Sequence, residues 1–140
     1  MPLPHVNYLA VLVAAVVMFA IGGLWYSPVL FARRWMVLMG KSEQEFKAAA
    51  ATTSMPLLYI GAFICELIAV WVLAIVINHF SYASALRGAE VAVLCWIGFT
   101  GATSFVNALF SMQPKPLWLI NSAYYLVSFV IAGAILGAWR

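Results

Sequence analysis

Four long apolar runs constrain the fold of this chain more than any other feature of its sequence. Each covers about 20 residues, and about 20 helical residues, rising 1.5 Å each, cross the ~30 Å hydrocarbon layer of a bilayer. Only helices and closed barrels satisfy the backbone in lipid, and barrel strands alternate in polarity and are half as long. The sequence therefore predicts an all-α, polytopic membrane bundle of four transmembrane helices.

The composition agrees with lipid as the main solvent of the chain. Of its 140 residues, 66% are hydrophobic and 8% are charged, whereas roughly 25% of the residues of soluble proteins are charged. We expect a single domain over residues 1–140. The net charge of +3 comes from a few basic residues beside apolar segments, which favours membrane lipid over nucleic acid as the partner.

Prolines help to set the limits of the predicted spans. The first span ends before Pro28, because proline disfavours helix at the residue that precedes it. The fourth follows Pro116. The predicted spans cover residues 7–26, 55–78, 87–111 and 117–139. No Lys or Arg precedes the first span, so we expect it to be retained rather than cleaved as a signal peptide.

Residues 29–51 form a linker between the first two spans. Its first part, residues 29–40, has the pattern of a short amphipathic helix that lies along the lipid headgroups. Arg33, Arg34 and Trp35 are its candidate headgroup contacts.

Two capping residues limit the short helices of this linker. Gly40 is a plausible C-terminal stop for the amphipathic helix. Ser42, followed by Glu45, has the spacing of a capping box and predicts a second short helix over residues 43–51.

Basic residues predict the orientation of the chain. The side with the first and third loops carries more of them than the other side. The first set comprises Arg33, Arg34, Lys41, Lys47 and Lys115, and the second comprises Arg87 and Arg140. This bias predicts that the first and third loops are cytoplasmic and both termini lie outside. Tyr82 and Trp139 are expected to mark the outer interface.

Glu66 lies near the middle of the second span, and no other residue calls as strongly for a functional explanation. A charged group at that depth costs at least about 3 kcal/mol, so it should face protein or a wet cavity. Its neutral form is favoured by burial in hydrocarbon, which makes it either a proton site or a structural hydrogen-bonding group.

Polar residues of three spans match Glu66 in depth and form two layers. One layer lies near the midplane, and the other lies roughly 10 Å nearer the cytoplasm. They comprise Glu66, Thr100 and Ser128 at the midplane, and Tyr59, Asn107, Asn121 and Tyr125 in the inner half. These residues are candidates to bind a substrate or a proton. Because Ser, Thr and Asn also commonly bond membrane helices together, the same layers fit a packing seam.

Small residues predict close packing of helices. Gly133 and Gly137 form a small-xxx-small motif in the fourth span, which suits a contact within the chain or between subunits. Four helices enclose little volume, so a conducting form is expected to be a homo-oligomer, a dimer or larger.

The sequence contains few residues suited to catalysis or metal binding. It has no Ser/His/Asp set, no metal-binding His or Cys spacing and no glycine-rich phosphate loop. We expect no enzyme activity, no metal and no cofactor. Cys65 and Cys95 lie in apolar runs and are expected to be free thiols.

Short motifs along the whole chain resemble a known family. They are Gly23-Leu24-Trp25-Tyr26-Ser27-Pro28 with Leu30-Phe31, Asn107-Ala108-Leu109-Phe110, Leu117-Trp118-Leu119-Ile120-Asn121 with Tyr124-Tyr125-Leu126, and Gly133-Ala134-Ile135-Leu136-Gly137. The chain resembles the bacterial membrane-protein family catalogued as domain of unknown function 1761. This resemblance implies four helices and a bacterial inner membrane, and it brings no known activity or catalytic residue.

Two functional hypotheses remain open from the sequence. The first is a proton-linked or cation transporter or permease that acts as an oligomer around Glu66. The alternative is a non-catalytic membrane scaffold or accessory subunit, in which Glu66 is a structural hydrogen-bonding group.

Overall fold

The computed structural model describes residues 1–80 and 84–140, which are mostly helical. In chain order, the elements are α1 (Tyr8–Trp25), α2 (Ala32–Met39), α3 (Glu43–Thr52), α4 (Met55–Asn78), α5 (Ala85–Cys95), a π-helical segment (Trp96–Gly101), α6 (Ala102–Phe110) and α7 (Lys115–Ala138). The run from α5 to α6 is one continuous helix, here called the third span. The predicted marker Tyr82 lies outside the described residues.

Four helices are long and apolar enough to cross a membrane by their length and composition. They are α1, α4, the third span and α7. This finding confirms the predicted all-α bundle.

Local capping sets the helix limits that the apolar pattern did not fix. The Asn7 side chain accepts hydrogen bonds from the amides of Leu9 and Ala10, both at 3.1 Å, and so begins α1. The third span begins earlier than predicted, because Ser84 Oγ accepts a hydrogen bond from the Arg87 amide at 3.1 Å.

α7 is the centre of the bundle. It packs against α1, α4 and the third span, and its contact with α5 is the most extensive in the molecule. The contact between α4 and the third span is much smaller. α4 and the third span therefore contact each other over only a short stretch.

Two tryptophans from different helices hold α7 in place. The indole N–H of Trp25, at the end of α1, donates to the carbonyl oxygen of Ile120 at 3.0 Å. The indole N–H of Trp96, in the third span, donates to the carbonyl oxygen of Ser122 at 3.0 Å. α1 and the third span are thus both bonded to the backbone of α7 near the same depth.

The crossing of α5 and α7 depends on small residues. A Cβ atom at Gly133 would overlap the carbonyl oxygen of Gly88 and the Cβ of Ala92. A Cβ atom at Gly137 would overlap the carbonyl oxygen of Ser84. The two helix backbones therefore touch directly, and the predicted small-residue motif lies at a contact within the chain.

The two ends of the chain meet α4 at its C-terminal end. The Arg140 guanidinium donates to the carbonyl oxygens of Ile77 at 3.1 Å and Phe80 at 2.8 Å. The side-chain amide of Asn78 donates to the carbonyl oxygen of His5 at 2.7 Å. A cation at a helix C-terminus also interacts favourably with the helix dipole.

The linker has the two capping features that its sequence predicts. Gly40 ends α2 in a left-handed conformation, with φ at 71°. Ser42 Oγ accepts a hydrogen bond from the Glu45 amide at 3.2 Å and begins α3. α2 itself starts at Ala32 rather than at residue 29, because residues 28–31 form a turn.

We expect Gly40→Ala to destabilise the C-terminal end of α2 by about 1 kcal/mol, because an L-residue is strained at this φ. Amide hydrogen exchange at Gly40 and Lys41, which bond back to α2, measures this change. Gly23→Ala is the control, since its added Cβ meets nothing within 4 Å and its φ is not positive. Equal exchange in Gly40→Ala and the wild type would contradict this prediction.

Candidate functional site

The Glu66 carboxyl group is bonded to Tyr124 across the interior of the bundle. Tyr124 on α7 places its hydroxyl oxygen 2.5 Å from Glu66 Oε1 on α4. The same hydroxyl lies 3.2 Å from the carbonyl oxygen of Met18 on α1. One phenol therefore links three of the four apolar spans.

The hydrogens available to this group allow two bonding arrangements. A tyrosine hydroxyl has a single hydrogen, so it donates fully to either Glu66 or Met18. When Glu66 is a carboxylic acid, its O–H donates to Tyr124 and the Tyr124 hydrogen is free to bond Met18. When Glu66 is a carboxylate, Tyr124 donates to it instead. The proton on Glu66 thus decides how firmly Tyr124 is bonded to α1.

Gly22 permits Tyr124 to approach α1 this closely. A Cβ atom at Gly22 would lie only 3.0 Å from the Tyr124 hydroxyl oxygen. A side chain at this position would therefore force the phenol or α1 to shift. The late glycine of α1 is therefore part of the geometry of the site.

A second polar pair flanks the site toward the linker. Tyr26 packs edge-on against Tyr124, with ring centroids 5.7 Å apart. Burial, and to a smaller extent the nearby Tyr125, raises the pKa of Tyr26 to about 12. Its hydroxyl therefore stays protonated and donates to Asn121 Oδ1 at 2.8 Å.

A cleft of about 380 Å³ opens beside Glu66. We call it the Glu66 cleft. Its lining residues come from all four spans: Met18, Ala62, Cys65, Glu66, Ala69, Thr100, Tyr125 and Phe129. The cleft brings together three of the predicted site residues, Glu66, Thr100 and Tyr125. Glu66 Oε2 is buried and has no hydrogen-bond partner among the described residues.

The other predicted site residues lie outside the lining of this cleft. Ser128 is fully buried beside Tyr124. Asn121 bonds Tyr26, as described above. Tyr59 is exposed and contacts Phe19 edge-on, with ring centroids 6.3 Å apart.

Asn107 is exposed and lies outside the lining of the Glu66 cleft, and its role as a site residue stays a prediction. The spacing used to predict residues of the third span assumed a regular α-helix, in which each residue turns the helix by about 100°. The structure instead has the π-helical segment Trp96–Gly101. A π turn accommodates an extra residue, so positions beyond it are rotated relative to those before it.

The predicted headgroup residues are placed in two different ways. Arg33 and Arg34 are exposed. The ring of Trp35 is half-buried between two aromatic rings of the same chain, those of Tyr26 at 5.8 Å and Phe46 at 5.2 Å. Trp35 therefore attaches the linker to the bundle, and a lipid contact remains a prediction for all three residues.

Tyr124 and the Met18 carbonyl were not among the predicted site residues. In the fourth span the predicted site residues were Asn121, Tyr125 and Ser128, and Tyr124 was not included with them. Two features together would have identified Tyr124: its burial, and an acidic group at a similar depth on another helix. A backbone carbonyl such as that of Met18 leaves no mark in a sequence.

Comparison with known proteins places the chain in a family. No curated protein and no solved structure matches the chain. The family model described as protein of unknown function (DUF1761) matches residues 9–137, which is nearly the whole chain. This protein, with its four apolar helices around Glu66 and Tyr124, therefore belongs to the DUF1761 family.

Proposed function

We propose that this protein is a small proton-linked transporter or permease in which Glu66 takes up and releases the coupled proton. The observation that carries the proposal is the position of the Glu66 carboxyl group, which lines a cleft in the second of four apolar spans. An ionisable group in such a segment is costly, and a role in moving charge accounts for its presence.

The bonding of Glu66 supports this role. Its carboxyl group has a bonding partner in both protonation states, because Tyr124 either accepts from the acid or donates to the carboxylate. The hydrogen bond between Glu66 Oε1 and Tyr124 therefore persists when Glu66 gains or loses its proton. Such a group can change its protonation state without unfolding the bundle.

The membrane, orientation and assembly of the protein form part of this proposal. We propose a bacterial inner membrane, with the first and third loops in the cytoplasm where most of the basic residues lie. We also propose a homo-oligomer, because a single cleft on the side of a four-helix bundle does not connect the two faces of a membrane. We propose no catalytic activity.

A scaffold or accessory subunit is the second candidate, and one observation favours it. The Glu66–Tyr124–Met18 group joins α4, α7 and α1. Interhelical hydrogen bonds of this kind stabilise membrane bundles by roughly 0.6–2 kcal/mol each. In this case Glu66 would stay protonated and stabilise the bundle, and the bundle would bind a partner protein.

Infrared difference spectroscopy of the protein in liposomes separates the two candidates. We expect the carboxyl band of Glu66 to titrate reversibly between about pH 5 and 9, the range open to a buried carboxyl group that exchanges protons. Glu66→Gln should remove this band while the helical content is unchanged.

Glu90→Gln is the matched control, since Glu90 is an exposed acid of the third span that pairs with Arg87 at 2.8 Å. This variant should retain the titrating band. A Glu66 band that stays protonated at every pH, without exchange of its hydrogen for deuterium, would contradict the transporter and favour the scaffold.

A further inference from the structure

We propose that the Glu66 cleft binds hydrophobic organic cations, each in exchange for the proton of Glu66. This inference rests on the proposed function and names its substrate class. The occupant is a monovalent cation whose charge is carried on an apolar, preferably aromatic, body.

Charge complementarity is the first argument. Glu66 is the one acidic residue among those that line the cleft. Oε1 is engaged by Tyr124, whereas Oε2 is buried and lacks a partner among the described residues. A carboxylate oxygen in apolar surroundings is strongly stabilised by a cation beside it.

Two aromatic rings on α7 form the second argument. Tyr125 and Phe129 lie one helical turn apart, with ring centroids at 6.4 Å and planes at 78° to each other. Both rings line the same cleft as Glu66. The faces of aromatic rings attract organic cations, most strongly when water is excluded.

The remaining walls favour a hydrophobic cation over a metal ion. Met18, Ala62 and Ala69 contribute apolar surface. Calcium and magnesium require about six or more oxygen ligands, and the lining supplies only the Glu66 carboxyl group and the hydroxyls of Thr100 and Tyr125. The volume of about 380 Å³ falls within the usual range for small-molecule sites, roughly 300–1,000 Å³.

The location of the cleft fits a ligand that partitions into lipid. Its lining includes residues of α4 and of the third span, which are both apolar and contact each other over only a short stretch. A hydrophobic cation can reach this cleft from the bilayer. Binding converts the Glu66 acid to a carboxylate and releases one proton to water, so that charge and atoms balance.

Binding of tetraphenylphosphonium to the purified, detergent-solubilised protein tests this inference. We expect saturable binding to the wild type and to Glu90→Gln, and at least a tenfold loss of affinity in Glu66→Gln. Tetraphenylborate has the same shape and the opposite charge, so it should not compete. Equal affinity of wild type and Glu66→Gln for tetraphenylphosphonium would overturn the inference.

The pH dependence of binding provides a second readout. Because protons compete for the same carboxylate, affinity should fall about tenfold for each pH unit on the acid side of the Glu66 midpoint and level off above it. Well below that midpoint one proton should be released for each cation bound, and above it none, because Glu66 is then already a carboxylate. Binding without pH dependence, or without proton release, would overturn the exchange.

Cys65 reports on occupancy of the cleft, because it is exposed and lies in its lining. Tetraphenylphosphonium should slow alkylation of Cys65 in a Cys95→Ser background, and should leave Cys95 unprotected in Cys65→Ser. If Glu66 titrates in the infrared experiment but the cation neither binds nor protects Cys65, the substrate class is wrong while the proton-linked function stands. If Glu66 never exchanges its proton, both fail.

Discussion

Gly133→Ala should prevent the bundle from forming its native packing, with a loss of about 3 kcal/mol or more of stability. The added methyl would overlap the carbonyl oxygen of Gly88 and the Cβ of Ala92. A helix backbone cannot rotate out of the way as a side chain can, so α5 and α7 must separate. Thermal unfolding in mild detergent, followed by circular dichroism, measures the loss.

Gly61→Ala is the control for this variant. Gly61 lies within α4, another apolar span, and a Cβ atom there meets nothing within 4 Å. Alanine is a better helix former than glycine by about 1 kcal/mol, so this control should be as stable as the wild type or slightly more so. A Gly133→Ala protein that unfolds at the wild-type temperature would show that the two backbones are not in contact.

Tyr124→Phe should produce the second large effect, because one hydroxyl supports two bonds. Its loss leaves both Glu66 and the Met18 carbonyl without their partner on α7. We expect a loss of about 1–2 kcal/mol of stability. The carboxyl band of Glu66 should also shift, because the acid O–H of Glu66 loses the Tyr124 hydroxyl as its hydrogen-bond acceptor.

Tyr59→Phe is the matched control for the loss of a phenol oxygen. Tyr59 lies on α4 and is 52% exposed, so the change should alter neither stability nor the Glu66 band. Wild-type stability together with an unmoved band in Tyr124→Phe would mean that the short contact with Glu66 does not form in the membrane.

The fold could be predicted from the sequence because the bilayer leaves so few alternatives. Uninterrupted apolar runs of this length are possible only as helices, and prolines and caps separate them. The C-terminal stop at Gly40 and the cap at Ser42 were also evident, since each depends on one residue type with one local geometry. The wide contact of α5 with α7 was not evident, because small residues indicate closeness without naming the partner.

The candidate site could be predicted only in part, since helix rotation is hard to infer when every face is apolar. Glu66 was identified because its cost in lipid is large wherever it points. α7 contacts helices on several sides, so the apolar pattern could not show that Tyr124 and not Ser128 would meet Glu66. The π-helical segment Trp96–Gly101 changes the rotational phase of the third span, and a regular helical pattern cannot predict such a change.

The contact between α5 and α7 also has a consequence for sequence comparison. Ser84, the N-cap of α5, is followed at intervals of four residues by Gly88 and Ala92, and Gly133 and Gly137 have the same spacing in α7. Since the two backbones touch at these points, any natural sequence with this crossing should have Gly at positions 88, 133 and 137 and only Gly, Ala or Ser at positions 84 and 92. The pair of spacings, taken together, is a pattern by which other genomes can be searched for proteins that share this packing even where the rest of their sequence has diverged.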